Sequence, residues 1–418
     1  MSDPDIRHFD IDAAPETLRG WHDAVQLGFL GEQASADSYA QTLATWKVDR
    51  PTFTGVYAPS ALPGLPANVP VATFQTFDRT INTGHGHLEP ALFITDVTVR
   101  TTARRRGLLR RLMVDALGSA RERGLTLAAL TVSEGTIYGR FGFGVSTHWQ
   151  HAELTTGGRF ALSHPADDRV ELVPSLEVAG VRRAVFEAFH RTHRGSHDRL
   201  SFYEPLLSGA WDFDKNAPDA KRRTAIHYAA DGAPDGVLAW SFDWDSETIT
   251  VHDLLAVDDA AELALWQFLG SVDLAKKVKI RRLSPVSPLP WALADPRQLK
   301  LTESGDWTWL RVLDVPGALG VRWFDTDGSV AFIVDDPLGF AAGCYRVEAS
   351  GGRASVEAIA EASDLVRVDV RALASLYFGV VDARTLAGAG LITGAPADVA
   401  ALTRLFRTDV PPHNVSGF

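Results

Sequence analysis

The chain has 418 residues, 45% of them hydrophobic and 22% charged, which is long enough for two or three globular domains, each with a core. A formal net charge of −11 and a pI near 5.6 argue against a dedicated nucleic-acid binder and favour cationic partners. The charged start MSDPDIRHFD, the single cysteine Cys344 and the lack of any run of about 18 apolar residues lead us to expect a cytoplasmic chain with no membrane partner.

In chain order, Val69–Phe77 (VPVATFQTF) and Ala91–Val99 (ALFITDVTV) have the composition of strands. Leu108, Leu109, Leu112, Met113, Ala116 and Leu117 then follow the spacing of an amphipathic helix. Gly124 closes that helix, and Leu125–Val132 (LTLAALTV) reads as a buried strand. The order returns after Lys221: strands TAIHYAAD, GVLAWSFDW and ETITVHDLLAV, the helix DDAAELALWQFLGSVDLAKK, and the strand VKIRRLSP. This predicts a second copy of the first fold. The proline-rich segment Ser284–Pro296 (SPVSPLPWALADP) is expected to be a linker. Beyond it, strands such as SVAFIVDD and GCYRVEAS and helices such as VRALASLYFGV and DVAALTRLF predict a small α+β unit. The expected class is α/β, in three units at 1–150, 151–300 and 301–418.

From the end of the second strand into the first helix, Arg100, Arg104, Arg105, Arg106, Arg110 and Arg111 occur with no acidic residue among them. A nucleic-acid patch, a solvated helix face and a pocket for one small polyanion all compete to explain this. The first lacks interleaved aromatics and overall basicity. The second opposes the helix macrodipole unless an anion answers the charge. The third fits, because a helix N-terminus offers unpaired N–H groups, Gly107 lets the backbone come close, and arginines add charge-assisted hydrogen bonds. No GxxxxGK[ST] occurs and no GxGxxG follows a strand, so a bound pyrophosphate of another kind is expected. The second copy has Asp258, Asp259 and Glu262 at the matching turn, where carboxylates would repel a polyanion.

The pattern V-x-V followed by R-x-x-G-L, at Val97, Val99, Arg104, Gly107 and Leu108, resembles the acetyl-CoA signature of the GNAT acetyltransferases. Leu109 departs from the Gly or Ala usual at its position. The turn RRRGLLR (Arg104–Arg110) and the loop SEGTIYGRFGFG (Ser133–Gly144) resemble one branch more closely, the enhanced intracellular survival (Eis) acetyltransferases. The resemblance extends to chain length and plan. It implies tandem GNAT domains, the second degenerate, followed by a sterol-carrier-like domain. It also implies acetyl-CoA as donor, held by Val97, Val99, Arg104, Arg105, Gly107, Leu108, Leu109, Ser133 and Arg140. The pantetheine arm would lie between two strands that splay apart.

By the same resemblance Tyr138 is the general acid and the terminal carboxylate of Phe418 the base, with Glu32, Asp37 and Asp306 facing a cationic acceptor. The family's penultimate acidic residue is replaced here by Gly417. Each assignment has a plainer rival: Ser133 as a helix cap, Tyr138 packed under its loop, a frayed tail, and solvated surface carboxylates. Trp21, Phe29 and Tyr39 either line the acceptor pocket or pack in a core. His190, His193 and His197 lack HExxH or cysteine pairing and are expected in a polar loop without metal, and His85 and His87 beside a hairpin turn. The implied activity is direct acetylation of amines on polycationic small molecules, aminoglycosides foremost, by a homohexamer. The rivals are acetylation of protein lysines or peptide amines, and a lipid carrier acting through the third unit.

Overall fold

The computed structural model describes residues 5–58 and 66–418. Both early strands run longer than their patterns, as Ala72–Gly84 and His87–Val99, because they form one hairpin that turns through His85 and Gly86 at positive φ. The helix Leu108–Glu122 buries Leu112, Met113, Leu117 and Ala120. Gly124, at φ +84°, ends it before the strand Leu127–Thr131. The first sheet runs in the order Asp5–Phe9, Thr52–Tyr57, Ala72–Gly84, His87–Val99, Leu127–Thr131, Thr308–Val312 and Gly144–Val145.

The second sheet runs Leu299–Asp306, His148–Thr155, Lys277–Ile280, Thr248–Ala256, Pro234–Asp243, Arg223–Tyr228 and Val170–Val173. It repeats the central device of the first. In the first sheet, His87–Val99 and Leu127–Thr131 pair in parallel from Ala91↔Leu127 to Ile94↔Leu130 and then part. In the second, Thr248–Ala256 pairs with Lys277–Ile280 from Thr248↔Lys277 to Val251↔Ile280 and then parts. Each pair is joined by a crossover helix, Leu108–Glu122 in one and Asp259–Gly270 in the other. The second copy expected from element order is present.

The third sheet, Arg353–Ala358, Gly343–Ser350, Gly328–Asp335, Val366–Asp369 and Ile392–Thr393, packs with helices including Val370–Tyr377 and Pro396–Phe406. Two expectations need correction. Ser284–Pro296 is not a linker: it includes the helical turn Leu289–Ala292, and Leu289 and Leu293 are buried in the second core. Nor are the units consecutive at 150 and 300. His148–Thr155 leaves the first unit to pair in the second sheet, beside Leu299–Asp306. The chain then returns, and Thr308–Val312 inserts between Leu127–Thr131 and Gly144–Val145. Proline content marks where a helix cannot continue, not where packing stops.

The inserted strand also locks the first unit to the third. Arg311 Nη2 lies 2.6 Å from Asp336 Oδ2, with both side chains fully buried. Asp336 accepts further bonds from the N–H groups of Leu338 and Ala341. Gly142, at φ +84°, leaves room for the guanidinium, which a Cβ there would meet at 2.8 Å. Removing one member of such a pair strands a buried charge. Asp336→Ala should therefore destabilise the protein by about 3–5 kcal/mol in urea denaturation. Replacing both partners by apolar residues of similar volume should recover most of that loss. Asp336→Ala at wild-type stability would show that the pair does not hold the units together.

Candidate active site

A cavity of about 800 Å³ opens where His87–Val99 and Leu127–Thr131 part. Its wall includes Val97, Val99, Arg104, Arg105, Gly107, Leu108, Leu109, Ser133 and Arg140, so all nine expected donor contacts come together. Val97 and Val99 also pack against the core under the helix, with Leu108 and Leu109. Gly107, at φ +77°, is the helix N-cap; no side chain caps this end and its first turn holds no acid. A Cβ on Gly107 would meet nothing within 4 Å, so the space beside the helix start is open. Arg104, Arg105 and Arg110 surround that end, whereas Arg106 lies outside the lining and donates to the carbonyl of Thr102. Open amides and three cations fit a pyrophosphate. Ser133 is not spent as a cap, since the turn Gly135–Tyr138 is entered from Glu134 without a side-chain cap bond.

Tyr138 is buried in the wall of the cavity, with its ring edge-on to Phe143. Burial first, and Glu134 second, push its phenol above the ordinary value of 10. The group therefore holds its proton at neutral pH and is a donor, not a base. Cys344 sits in the third sheet, outside the residues lining this cavity, with its thiol pushed up chiefly by burial, and is no nucleophile for acyl transfer.

The chain end is not frayed. His413 to Gly417 are buried, and the Phe418 ring lies edge-on to Phe77, Phe93 and His197, at centroid distances of 5.9, 4.7 and 5.0 Å. Thr131 Oγ1 donates to a terminal oxygen of Phe418 at 2.8 Å. Thr131 directly follows Leu130, the last residue paired before the strands part. Trp307 Nε1 donates to the Ser416 carbonyl at 2.6 Å, and a Cβ on Gly417 would meet the Trp307 ring at the same distance. Glycine at 417 is thus the residue that fits beside this indole. Sequence reasoning missed Thr131 and Trp307, because neither stands in a motif and both act through the tail.

The remaining candidates separate. Glu32, Asp37 and Asp306 are exposed, and none lines the cavity. Glu32 and Asp37 follow Phe29 and Leu30, which do line it, while Asp306 accepts from Trp309 Nε1. Phe29 is a wall residue; Trp21 and Tyr39 belong to a separate core with Trp46 and Phe53. The histidines are a correction: His190 and His197 are buried between the first and second units rather than in a polar loop. His190 bonds Thr80 and Ser196, His193 stacks on Phe189, and no metal-binding group of side chains occurs among the described residues. His85 stacks on Trp323, and His87 lies 3.1 Å from Glu89.

The second cleft is closed. Asp258 caps its helix by accepting from the N–H of Ala261, and Glu262 accepts from Trp266 and Ser287. The cavity lined there by Leu254, Ala256, Glu262, Trp266 and Ile280 is about 30 Å³, against about 800 Å³ in the first copy.

Charge-assisted bonds are the stronger kind, and reversing the cation turns each into a repulsion. The double variant Arg104→Glu, Arg105→Glu should therefore lose about 100-fold or more in CoA affinity by calorimetry while staying folded. Unchanged affinity would place the donor elsewhere.

Comparison with known proteins agrees with this geometry. Residues 15–146 and 208–312 each match an acetyltransferase (GNAT) domain family, and residues 315–415 match the sterol carrier protein domain. An uncharacterised N-acetyltransferase of Streptomyces griseus is 33% identical over 411 residues, covering 95% of this chain and 96% of the relative. The N-acetyltransferase Eis of Mycobacterium tuberculosis is 32% identical over 337 residues, covering 77% and 79%. The crystal structure of Eis1 from Mycobacterium abscessus superposes with a TM-score of 0.83 at 26% identity, covering 99% of this chain and all of that one. With the open first cleft, the closed second one and the buried chain end, these likenesses make this chain an acetyl-CoA-dependent N-acetyltransferase that belongs to the Eis family of GNAT enzymes.

Proposed function

We propose that the chain acetylates amines of cationic small molecules, aminoglycosides foremost, by direct transfer from donor to acceptor. The observation that carries this reading is the Phe418 carboxylate, fixed by Thr131 at the point where the two strands part. Acetyl-CoA supplies an activated thioester. The chain must then accept a proton from an ammonium on one side and give one to a departing thiolate on the other. A carboxylate in a fixed position serves the first need, directly or through water, and the buried Tyr138 phenol serves the second. Glu32, Asp37 and Asp306, all exposed, would attract cations to the acceptor side, and the net charge of −11 favours their approach.

The lipid-carrier reading finds less support. Arg322 is fully buried in the third unit, donating to the carbonyls of Tyr377, Trp323 and Phe406 with Phe324 beneath it. A core filled by a bonded guanidinium and packed rings leaves little room for an apolar guest. The proposal includes assembly into a homohexamer, for which exposed Val286, Trp291 and Leu301 around one groove offer apolar surface.

A CoA-thiol release assay over aminoglycosides, polyamines and lysine peptides tests the acceptor class. Turnover restricted to lysine peptides would replace the small-molecule reading by the protein one. Tyr138→Phe keeps the ring and removes the proton, so kcat should fall by about 10²–10⁴ with folding intact. Near-normal turnover would reassign the tyrosine to packing. Deleting Phe418, or extending the chain past it, should abolish most turnover and leave CoA affinity unchanged. Full activity in a folded C-terminally tagged protein would rule out the terminal carboxylate as base.

A further inference from the structure

The end of the chain borders the closed cleft of the second copy. The strands that part after Val251 and Ile280 correspond to those that part after Ile94 and Leu130. Where the first pair faces a cavity, the space beyond the second pair is walled by Leu254 and Ala256, by Glu262 and Trp266 of the helix, and by His413 of the tail. Val415 then enters the apolar cluster of Val185, Phe189 and Leu255. The chain end thus passes the second parting before Phe418 bonds Thr131 beside the first.

Three second-unit side chains grip it there. Arg282, two residues beyond Ile280, donates to the Val415 carbonyl at 2.7 Å and lies over the Trp307 ring. Arg199 donates to Ser416 Oγ at 3.0 Å while paired with Asp253 through two bonds of 2.9 and 2.6 Å. Tyr203 Oη accepts from the Gly417 N–H at 2.6 Å and carries Arg199 over its ring. With Trp307 on the Ser416 carbonyl and Thr131 on Phe418, consecutive residues from Val415 to Phe418 are each bonded. Asn414 adds bonds to the carbonyl and N–H of Ser416, and a four-residue end that has no secondary structure needs such contacts, since ordering it costs about 1–2 kcal/mol per residue.

We propose that the second GNAT unit has exchanged donor binding for tail holding, and that Arg199, Tyr203 and Arg282 are positioning residues for acetyl transfer, acting through the Phe418 carboxylate. This rests on the terminal-base reading above. A base displaced by an ångström loses its geometry toward the amine while the donor cleft, built from other residues, stays as it is.

The test is a double-mutant cycle on the full chain. Tyr203→Phe and Arg282→Met are made singly, each with and without Phe418, and turnover is read as CoA-thiol release with the fastest amine of the panel. In the full chain each should lower kcat about tenfold or more, about 1.4 kcal/mol, with the KM for acetyl-CoA within about twofold. In the chain lacking Phe418 neither should lower turnover further. Arg282→Lys, which keeps a donor, should recover part of the loss. Carboxypeptidase A should release phenylalanine faster from both variants than from the wild type, a readout independent of the acceptor. Equal losses with and without Phe418 would make the residues merely structural and overturn the proposal. Turnover that depends on Phe418 yet ignores both substitutions would overturn it while leaving the terminal base standing. If deleting Phe418 costs nothing, the terminal-base reading fails, and the positioning role with it.

Discussion

The backbone ladder of Thr308–Val312 is the constraint on which the other features depend. This strand closes the edge that Leu127–Thr131 would otherwise present, pairing with it over five residues and with Gly144–Val145 on its other side. It sends Arg311 into a fully buried pair with Asp336, tying on the third unit. Just before it, Trp307 holds the tail. The donor cleft, the third sheet and the chain end therefore share one strand, although it lies about 180 residues from its sheet partner in sequence.

Duplication has yielded one fold with opposite clefts. The backbone event is the same in both: two parallel strands pair over four residues and part. What differs is the helix end above. No side chain caps the helix at Gly107 and arginines gather around it, whereas Asp258 accepts from the Ala261 N–H and Glu262 and Trp266 line what little gap remains. Burial pushes the Glu262 carboxyl up, against bonds from Ser287 and Trp266 that favour the charged form. A polyanion meets an uncapped helix end ringed by arginines in one site, and a helix end capped by a carboxylate with little volume in the other.

The third unit brings the end of the chain back into the middle of the molecule. Its own interior is occupied by Arg322, whose guanidinium satisfies three carbonyls and stacks on Phe324 and Phe406. Burial of that cation is tolerable because its hydrogen bonds are met by backbone oxygens, and those bonds join the two helices Val370–Tyr377 and Pro396–Phe406 to its own segment. The last residues then leave this unit and are gripped by the other two.

Most of the candidate donor cleft was legible in the sequence because that part is local. Val97 to Leu109 is one strand, one turn and one helix start, and a run of arginines beside a glycine has few physical explanations. The second copy was legible in outline, since strand and helix periods survive when sequence identity does not. Tertiary structure alone decided the rest. The proline-rich segment before Pro296 became part of a core, and the histidines at 190 and 197 were buried, because packing partners far along the chain, not local composition, set exposure. Likewise Thr131, Trp307, Tyr203 and Arg282 are unremarkable as letters. They meet only when strands exchange between sheets and the chain end threads between them, contacts whose sequence separations of 109 to 287 residues no local pattern encodes.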